Sequence, residues 1–520
     1  MDEPAIRRGR KCTRILFLSG FLLTLLGAGL LTGWLIWGNR ERFYKEYGIV
    51  LDAGSSHTNL FVYQWPGSKK NGTGIVKQRG VCVVKGGGIS SYVETPEKAG
   101  PSLEECFDTT ALHSVPRKDQ EETPVFLGAT AGMRLLDETS PDISDAILNS
   151  TRRTISSYPF NFTDDQARII TGTEEGIFGW ITTNFLLHSF NDGSSLERHV
   201  RSLIFTEDAV STVGALDLGG ASTQITFIPE DPASLTDDHS QYLRLYGTNY
   251  TVYTHSYLCY GMNEARRQLY ANLIKDADFA ENVTNPCGAL GLVESFDGAY
   301  LWEAPCSNNQ SENVEFQSAN NSKYYFSGSS DPEACLVKVR ELFNFSAPCE
   351  IEPCSFDGVY QPPPYGKFLA FSGYYYAINN LNLTSNVTLN QLNTTRDEFC
   401  QRNWTDIKEI PGLQDNTHVF CFDINYVYVL LVDAYNFTQD NWNIEFVRDV
   451  DGANVGWSLG YMVNATNGIP TEPPSLLIHE EFFYGLLACY SIIAFVGVLM
   501  LLVCAQRRWK QKNVTTYVSI

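Results

Sequence analysis

With 520 residues, 43% of them hydrophobic and 19% charged, the chain is too long for one compact core and too apolar for a disordered one. It reads as a globular protein of two or more lobes. A formal charge of −21 and a pI of about 4.8 exclude nucleic acid as an expected partner and repel a free polyanion, so an anionic substrate is expected to arrive with its metal.

In chain order, residues 1–14 carry Arg7, Arg8, Arg10, Lys11 and Arg14, and Ile15–Trp37 follows as an uncharged run of 23 residues. That exceeds the ~20 residues needed to cross a bilayer. Its length, and the lack of a small-residue cleavage site at Gly33–Trp37, read as an anchor rather than a cleaved signal. A second uncharged run of 23 residues, Phe482–Cys504, precedes a tail (505–520) with Arg507, Arg508, Lys510 and Lys512. The positive-inside rule then puts both termini in the cytosol and 38–481 on the far side. Two features of that segment agree. It holds 14 Asn-x-Ser/Thr sequons, among them Asn71, Asn161, Asn282, Asn344, Asn403 and Asn464. It also holds ten of the 13 cysteines: Cys82, Cys106, Cys259, Cys287, Cys306, Cys335, Cys349, Cys354, Cys400 and Cys421. An even set in an oxidising compartment predicts five disulfides. Cys12, Cys489 and Cys504 lie in or beside the membrane and are expected to be unpaired; no C-x-x-C spacing suggests zinc.

Within the external segment one short pattern occurs twice. Asp52-Ala53-Gly54-Ser55-Ser56-His57-Thr58 follows the apolar Ile49-Val50-Leu51, and Asp217-Leu218-Gly219-Gly220-Ala221-Ser222-Thr223 follows Gly214-Ala215-Leu216. Each leads into a β-rich stretch, so each predicts strand, tight turn, strand. Glycine permits close approach of an anion to the backbone, whose N–H groups can donate to phosphate. A carboxylate at the head of each turn suits a hydrated divalent metal. Two such turns facing each other would hold a polyphosphate and its metal between lobes. The lobes are read as 38–171 and 172–447, with 448–481 returning to the first lobe and then to the membrane.

Further elements support that reading. Phe126–Gly132 predicts a strand running into another small-residue turn, and a helix is expected around Ile143–Tyr158. Glu174–Leu187 has helical spacing of Ile177, Trp180, Ile181, Phe185 and Leu186, capped by Thr171-Gly172-Thr173. Glu174 and Glu175 in its first turn are both candidates for a water-activating base. Adjacent helical residues point ~100° apart, so only one can face a given water. Residues 259–421 are rich in cysteine and sequons. Lys85-Gly86-Gly87-Gly88 reads as an ordinary turn, not a Walker loop, because its lysine precedes the glycines. Ser372-Gly373-Tyr374-Tyr375-Tyr376 is an aromatic cluster with a face to offer a base. Val455–Met462 predicts a turn and helix.

These residues together resemble the ecto-nucleoside triphosphate diphosphohydrolases, or ectoapyrases, and most of all their cell-surface, two-span members. Five regions carry the resemblance in order: Asp52–Thr58, Gly128–Arg134, Thr173–Trp180, Asp217–Gln224 and Gly456–Met462. The resemblance implies an α/β, actin-like fold with two ribonuclease-H-like lobes, the nucleotide in the cleft between them, and two transmembrane helices. It implies stepwise removal of terminal phosphate from extracellular ATP, ADP, UTP and UDP with Ca²⁺ or Mg²⁺, a plasma-membrane location and a role in purinergic signalling. It assigns the base to Glu175 and water positioning to Ser222 and Gln224. Asp52 and Asp217 would hold the metal through water, with Trp457 nearby. Ser55, Ser56, His57, Thr130, Gly219, Gly220 and Ala221 fall at phosphate-binding positions. Tyr376 and Phe420 would clamp the nucleobase, where a close relative has tyrosine in place of Phe420 and one branch has an arginine around Asn416. The implied disulfides are Cys82–Cys106, Cys259–Cys306, Cys287–Cys335, Cys349–Cys354 and Cys400–Cys421. A homo-oligomer is a further expectation. The competing reading from another class is a catalytically silent, nucleotide-binding surface glycoprotein.

Overall fold

Two stretches of the chain repeat one strand order. A computed structural model describes residues 3–38, 44–190, 212–307, 322–410, 417–471 and 480–517; Asn416 and the Cys12 side chain lie outside the described set. The first sheet comprises β1 (Lys45–Ala53), β2 (Thr58–Pro66), β3 (Lys77–Val83), β4 (Val125–Ala129) and β5 (Ala167–Ile169), in the order β3-β2-β1-β4-β5. The first three strands are antiparallel, and β4 and β5 run parallel to β1. The second sheet begins with β6 (Gly214–Leu218), β7 (Ser222–Phe227), β8 (Gln241–Leu245) and β9 (Thr248–Leu258). A small separate sheet follows, formed by β10 (Asn282–Asn285), β11 (Val293–Asp297) and β12 (Lys323–Gly328). Then β13 (Phe368–Ser372) and β14 (Ile444–Phe446) complete the second sheet in the order β14-β13-β6-β7-β9-β8. With β8 set aside as an added edge, antiparallel β6-β7-β9 and parallel β6-β13-β14 repeat the first sheet's plan. This is the duplicated ribonuclease-H-like architecture of an actin-like fold.

The central strands are apolar on both faces: Ile49, Val50 and Leu51 of β1 are fully buried, as sheets covered on both sides require. One apolar core joins Val50, Phe61 and Trp65 of the first sheet to Ala215, Leu369 and Phe371 of the second, through the helices Gly172–Leu186 and Trp457–Ala465. Those helices cross at Gly460, where a Cβ would lie 1.9 Å from the Phe178 carbonyl, and the Gly460 N–H donates to Thr182 Oγ1 at 2.8 Å. Lys45–Pro470 is accordingly one compact unit. The described parts of residues 259–421 contain the small sheet β10–β12, several helices and strand β13 of the second sheet. The structure joins Cys259–Cys306, Cys287–Cys335, Cys349–Cys354 and Cys400–Cys421 there, and Cys82–Cys106 in the first lobe.

The second unit is the pair of terminal segments, Met1–Tyr44 and Thr471–Ile520. Its helices, Glu3–Gly38 and Glu480–Tyr517, contain the apolar stretches Thr13–Leu35 and Phe482–Lys510, each long enough to cross a membrane. They pack closely through small residues. A Cβ on Gly27 would meet the Ala494 nitrogen at 2.6 Å, and one on Gly497 would meet Thr24 Oγ1 at 2.5 Å. In lipid, where apolar surface gains nothing by leaving the solvent, close packing of this kind holds helices together. Ile15, Leu22, Phe482 and Phe495 project outward. A third stretch of sufficient length and apolarity, Thr417–Ala434, is a core helix, with Ile424, Tyr426, Val427 and Val429 fully buried.

Candidate active site

The two hairpins present their aspartates at the same rung. In the first, Ala53 and Thr58 form the last pair before the turn and Asp52 pairs with Asn59 one rung back. In the second, Leu218 and Thr223 close the ladder and Asp217 pairs with Gln224. The loops left between are Gly54–His57 and Gly219–Ser222, so Ser222 occupies the place of His57. The turns face each other closely: a Cβ on Gly220 would lie 2.6 Å from Ser55 Oγ. Both line a cleft of about 690 Å³ together with Ser56, His57, Thr130, Ala221, Glu175 and Trp457. Thr130 sits at the start of the helix Ala131–Thr139, and its N–H donates to the Ala53 carbonyl at 3.1 Å, beside the first turn. His57 Nδ1 is 3.0 Å from Ser56 Oγ.

The Lys85–Gly88 segment is more than an ordinary turn. A Cβ on Gly88 would lie 2.1 Å from the Gly54 carbonyl oxygen, so this glycine backs the first glycine turn. Gly261 does the same for the second: its Cβ would come within 2.2 Å of the Ala221 nitrogen. Neither glycine has positive φ; close approach, not backbone conformation, is what requires them.

The two glutamates separate as helical geometry demands. Glu174 completes a capping box with Thr171 and takes two bonds from Arg168, at 2.6 and 2.9 Å. Burial works against its charge, but Arg168 and Thr171 outweigh it and lower its carboxyl below the ordinary value. Glu175 turns into the cleft. Its Oε2 accepts from Arg134 Nη2 at 2.6 Å and from Gln224 Nε2 at 3.1 Å, while Oε1 takes no hydrogen bond among the described residues. Gln224 Nε2 also lies within hydrogen-bonding distance of Ser222 Oγ (2.8 Å) and Ser256 Oγ (2.9 Å), its two N–H groups shared among the three acceptors, and Arg134 reaches Ser222 Oγ at 3.1 Å. Burial raises the Glu175 carboxyl above its ordinary value, partly offset by the Arg134 charge.

Asp52 and Asp217 keep some surface open to the cleft but lie deep in it. Burial, and then the Glu175 charge, push each up to about 7. The Trp457 indole N–H opposes this at Asp52, donating to Oδ1 at 2.9 Å, and the Ser372 hydroxyl opposes it at Asp217. Among the described residues no group of three acidic, histidine or cysteine side chains is placed to ligate one ion directly. Three crowded carboxylates, with Arg134 bonded to only one of them, form a hard-oxygen set that suits a hydrated divalent cation.

At the far end of the cleft Tyr376 is 48% exposed and stands edge-on to Tyr375 at 5.4 Å between ring centroids. Phe420 lines the same cavity but is only 4% exposed, packed toward Phe399.

Sequence reasoning assigned no role to Arg134, Ser256 or Ser372. Arg134 lies within the second matched region, four residues after Thr130, and its charge was the available signal. Ser372 has φ of +56° at the end of β13. Nothing in its local sequence marks it; parallel pairing of β13 with β6 brings it beside Asp217.

Residues 40–479 match the profile of the GDA1/CD39 (nucleoside phosphatase) family. The chain is 39% identical over 475 residues to ectonucleoside triphosphate diphosphohydrolase 3 of Mus musculus, covering 90% of this chain and 88% of that protein. It is 41% identical over 476 residues to ectonucleoside triphosphate diphosphohydrolase 8 of Gallus gallus, covering 90% and 92%. Ectonucleoside triphosphate diphosphohydrolase 2 of Mus musculus matches at 40% over 470 residues, covering 89% and 91%. A crystal structure of nucleoside triphosphate hydrolases from Neospora caninum superposes with a TM-score of 0.60 over 85% of this chain and 96% of that one, at 17% identity, a likeness of fold. With the duplicated sheets, the paired turns and relatives of this similarity along most of its length, the chain belongs to the GDA1/CD39 (nucleoside phosphatase) family.

Proposed function

We propose that this protein is a membrane-anchored nucleoside triphosphate diphosphohydrolase that removes terminal phosphate from extracellular nucleoside tri- and diphosphates. The observation that carries the reading is the meeting of Glu175, Ser222 and Gln224 between two glycine turns that each begin at an aspartate. The polyphosphate lies across the turns, where backbone N–H groups and the Ser55, Ser56, His57 and Thr130 side chains face it. Its attacking water rests between Ser222 Oγ and the unbonded Oε1 of Glu175. Arg134 and Gln224 occupy Oε2, which leaves Oε1 as the proton acceptor and fixes the carboxylate's direction. Burial raises that carboxyl, which makes it a stronger base at neutral pH.

Asp52 and Asp217 would hold a divalent cation, Ca²⁺ or Mg²⁺, through its water shell, with the Trp457 indole fixing Asp52. Such an ion supplies charge neutralisation on the phosphate oxygens. Tyr376 and Phe420 receive the nucleobase. The basic residues flanking both apolar helices favour cytosolic termini and an extracellular 38–481 segment, which would place the products in purinergic signalling.

The test is phosphate release by intact transfected cells given ATP, ADP, UTP, UDP or AMP, with and without EDTA. Release from the di- and triphosphates, abolished by EDTA and absent with AMP, is the expected result. No release from any of them at normal surface expression would leave a silent binding glycoprotein.

A further inference from the structure

We propose that Asp423, backed by Arg266, reads the edge of the nucleobase and selects guanine. The inference rests on the nucleotide reading of the cleft just given. It begins with an ion pair that the phosphate chemistry does not use. Arg266 lies on the helix Met262–Asp276 and Asp423 on the helix Phe420–Val429; both line the cavity that also holds Tyr376 and Phe420. Arg266 Nη2 is 2.5 Å from Asp423 Oδ1, and their side chains are 21% and 13% exposed. The guanidinium is also held 5.7 Å from the centre of the Phe422 ring.

The position fits a base. Asn263 approaches the second phosphate turn, with its Nδ2 3.0 Å from where a Cβ on Gly220 would be, and Arg266 comes one helical turn later. Asp423 is one turn after Phe420 on its own helix, so the two share a face. The pair therefore stands where the phosphate end of the cleft gives way to the aromatic end. Stability is a weak reason for it to be there. Two charges withdrawn from water cost about as much as their attraction returns, and apolar side chains of similar size often serve as well.

The chemistry of this largely buried carboxylate, where it lines the cavity, decides which base. Asp423 Oδ1 holds Arg266, and Oδ2 takes no hydrogen bond among the described residues. Burial raises this carboxyl above its ordinary value and Arg266 opposes that; in its ionised form the group is acceptor-only, with lone pairs on both oxygens. Guanine presents two adjacent donors on one edge, the ring N1–H and the 2-amino group, and meets a carboxylate with two parallel bonds. Adenine and cytosine present an amino group beside a bare ring nitrogen, whose lone pair opposes the second carboxylate oxygen. Uracil presents one N–H between two carbonyls. An amide in place of the carboxylate sets a donor beside an acceptor and complements adenine instead.

The experiment compares kcat/KM for GTP, ITP, ATP and dGTP in the full-length protein, wild type and Asp423→Asn, at matched surface expression. ITP lacks only the 2-amino group. We expect the wild type to prefer GTP over ATP by about tenfold or more, with ITP falling toward ATP. In Asp423→Asn the ratio should invert toward ATP, carried by KM. A double variant, Arg266→Leu with Asp423→Leu, leaves no unpaired charge if the single variant fails to reach the surface; it should bring GTP and ATP to parity. An unchanged GTP-to-ATP ratio in both variants overturns the proposal, as does a loss that tracks the 2′-hydroxyl of GTP against dGTP rather than the base. Thermal protection by GMP against AMP gives a reading without turnover, and GMP must protect the wild type more. Absence of all turnover with preserved GMP protection would overturn the hydrolase reading and leave this one standing.

Discussion

Trp457 reaches back 405 residues to donate its indole N–H to Asp52 Oδ1 at 2.9 Å. The contact depends on a third residue. Gly128 pairs with Asp52 across β1 and β4, and a Cβ there would collide with the indole at 2.4 Å. Trp457→Phe keeps an aromatic side chain but removes the donor, together with part of the indole that packs on Gly128. A hydrogen bond to a charged group contributes roughly 1.5–3 kcal/mol, so cation dependence should shift by about tenfold or more. Titrating activity with Ca²⁺ or Mg²⁺ checks it; an unchanged half-saturating concentration would show that Asp52 needs no such partner.

Glu175→Gln should lose about 10²–10⁴ in turnover, the usual cost of removing a positioned base, while nucleotide binding survives because the turns are intact. Glu174→Gln should lose far less. Glutamine still serves the capping box with Thr171, and what disappears is the ion pair with Arg168, worth ~0–1 kcal/mol at a site open to water. Turnover of both variants at matched expression is the measurement. Near-normal activity in Glu175→Gln beside a dead Glu174→Gln would mean that the two residues have been exchanged.

The cation-free protein should lose stability as pH rises. Asp52 and Asp217 are raised from 3.8 to about 7 in the folded state. Between those values the folded chain binds more protons than the unfolded one, so their contribution is full below pH ~4 and is lost as pH rises through 7. This is opposite to the usual carboxylate. In EDTA the melting temperature should fall between pH 5 and pH 8, and added Ca²⁺ or Mg²⁺ should recover more at pH 8. The variant Asp52→Asn with Asp217→Asn isolates the effect from carboxylates of the other sign, such as Glu174. It should reduce both trends to what Glu175, itself raised, still contributes, and an undiminished slope in that variant would refute the assignment.

Gly88→Ala and Gly261→Ala should each impair catalysis. A methyl at either position meets backbone atoms of one of the two cleft turns at 2.1–2.2 Å, far inside contact, and the turn must move. Displacements of about an ångström at a reacting centre cost on the order of 10²-fold. Gly291→Ala is the control: it has positive φ but open space around it. Turnover and melting temperature measured together separate the cases, since the control should lose stability and keep its rate.

Cys400→Ser should reduce surface expression. It opens a 21-residue loop between the helices Leu389–Cys400 and Phe420–Val429 and strands buried Cys421, a loss of roughly 3 kcal/mol by loop entropy. Normal trafficking would show that these helices hold without the bond.

Much of this protein is determined locally and is legible in the sequence. Spans follow from composition, because a bilayer tests only the length and polarity of a segment. Each hairpin follows from a few consecutive residues: an apolar strand, an aspartate and a turn of small residues. The capping box that begins the Gly172–Leu186 helix is equally local, and so is the fact that Glu174 and Glu175 must part company. What tertiary structure decided is which residues meet. The sequence shows Lys85–Gly88 as a loop, but only packing sets Gly88 against Gly54. Arg134 reaches Glu175, Ser372 reaches Asp217 and Trp457 reaches Asp52 because parallel strand pairing and one helix crossing bring distant segments within hydrogen-bonding reach. Phe420, expected from the resemblance to clamp a nucleobase with Tyr376, lines the cleft, but only folding decides that it is 4% exposed there. Arg266 and Asp423, 157 residues apart, show nothing in their neighbourhoods that predicts a pair. The reason is physical: periodicity and turn chemistry act over a handful of residues, whereas burial and charge pairing depend on the whole chain having closed around them.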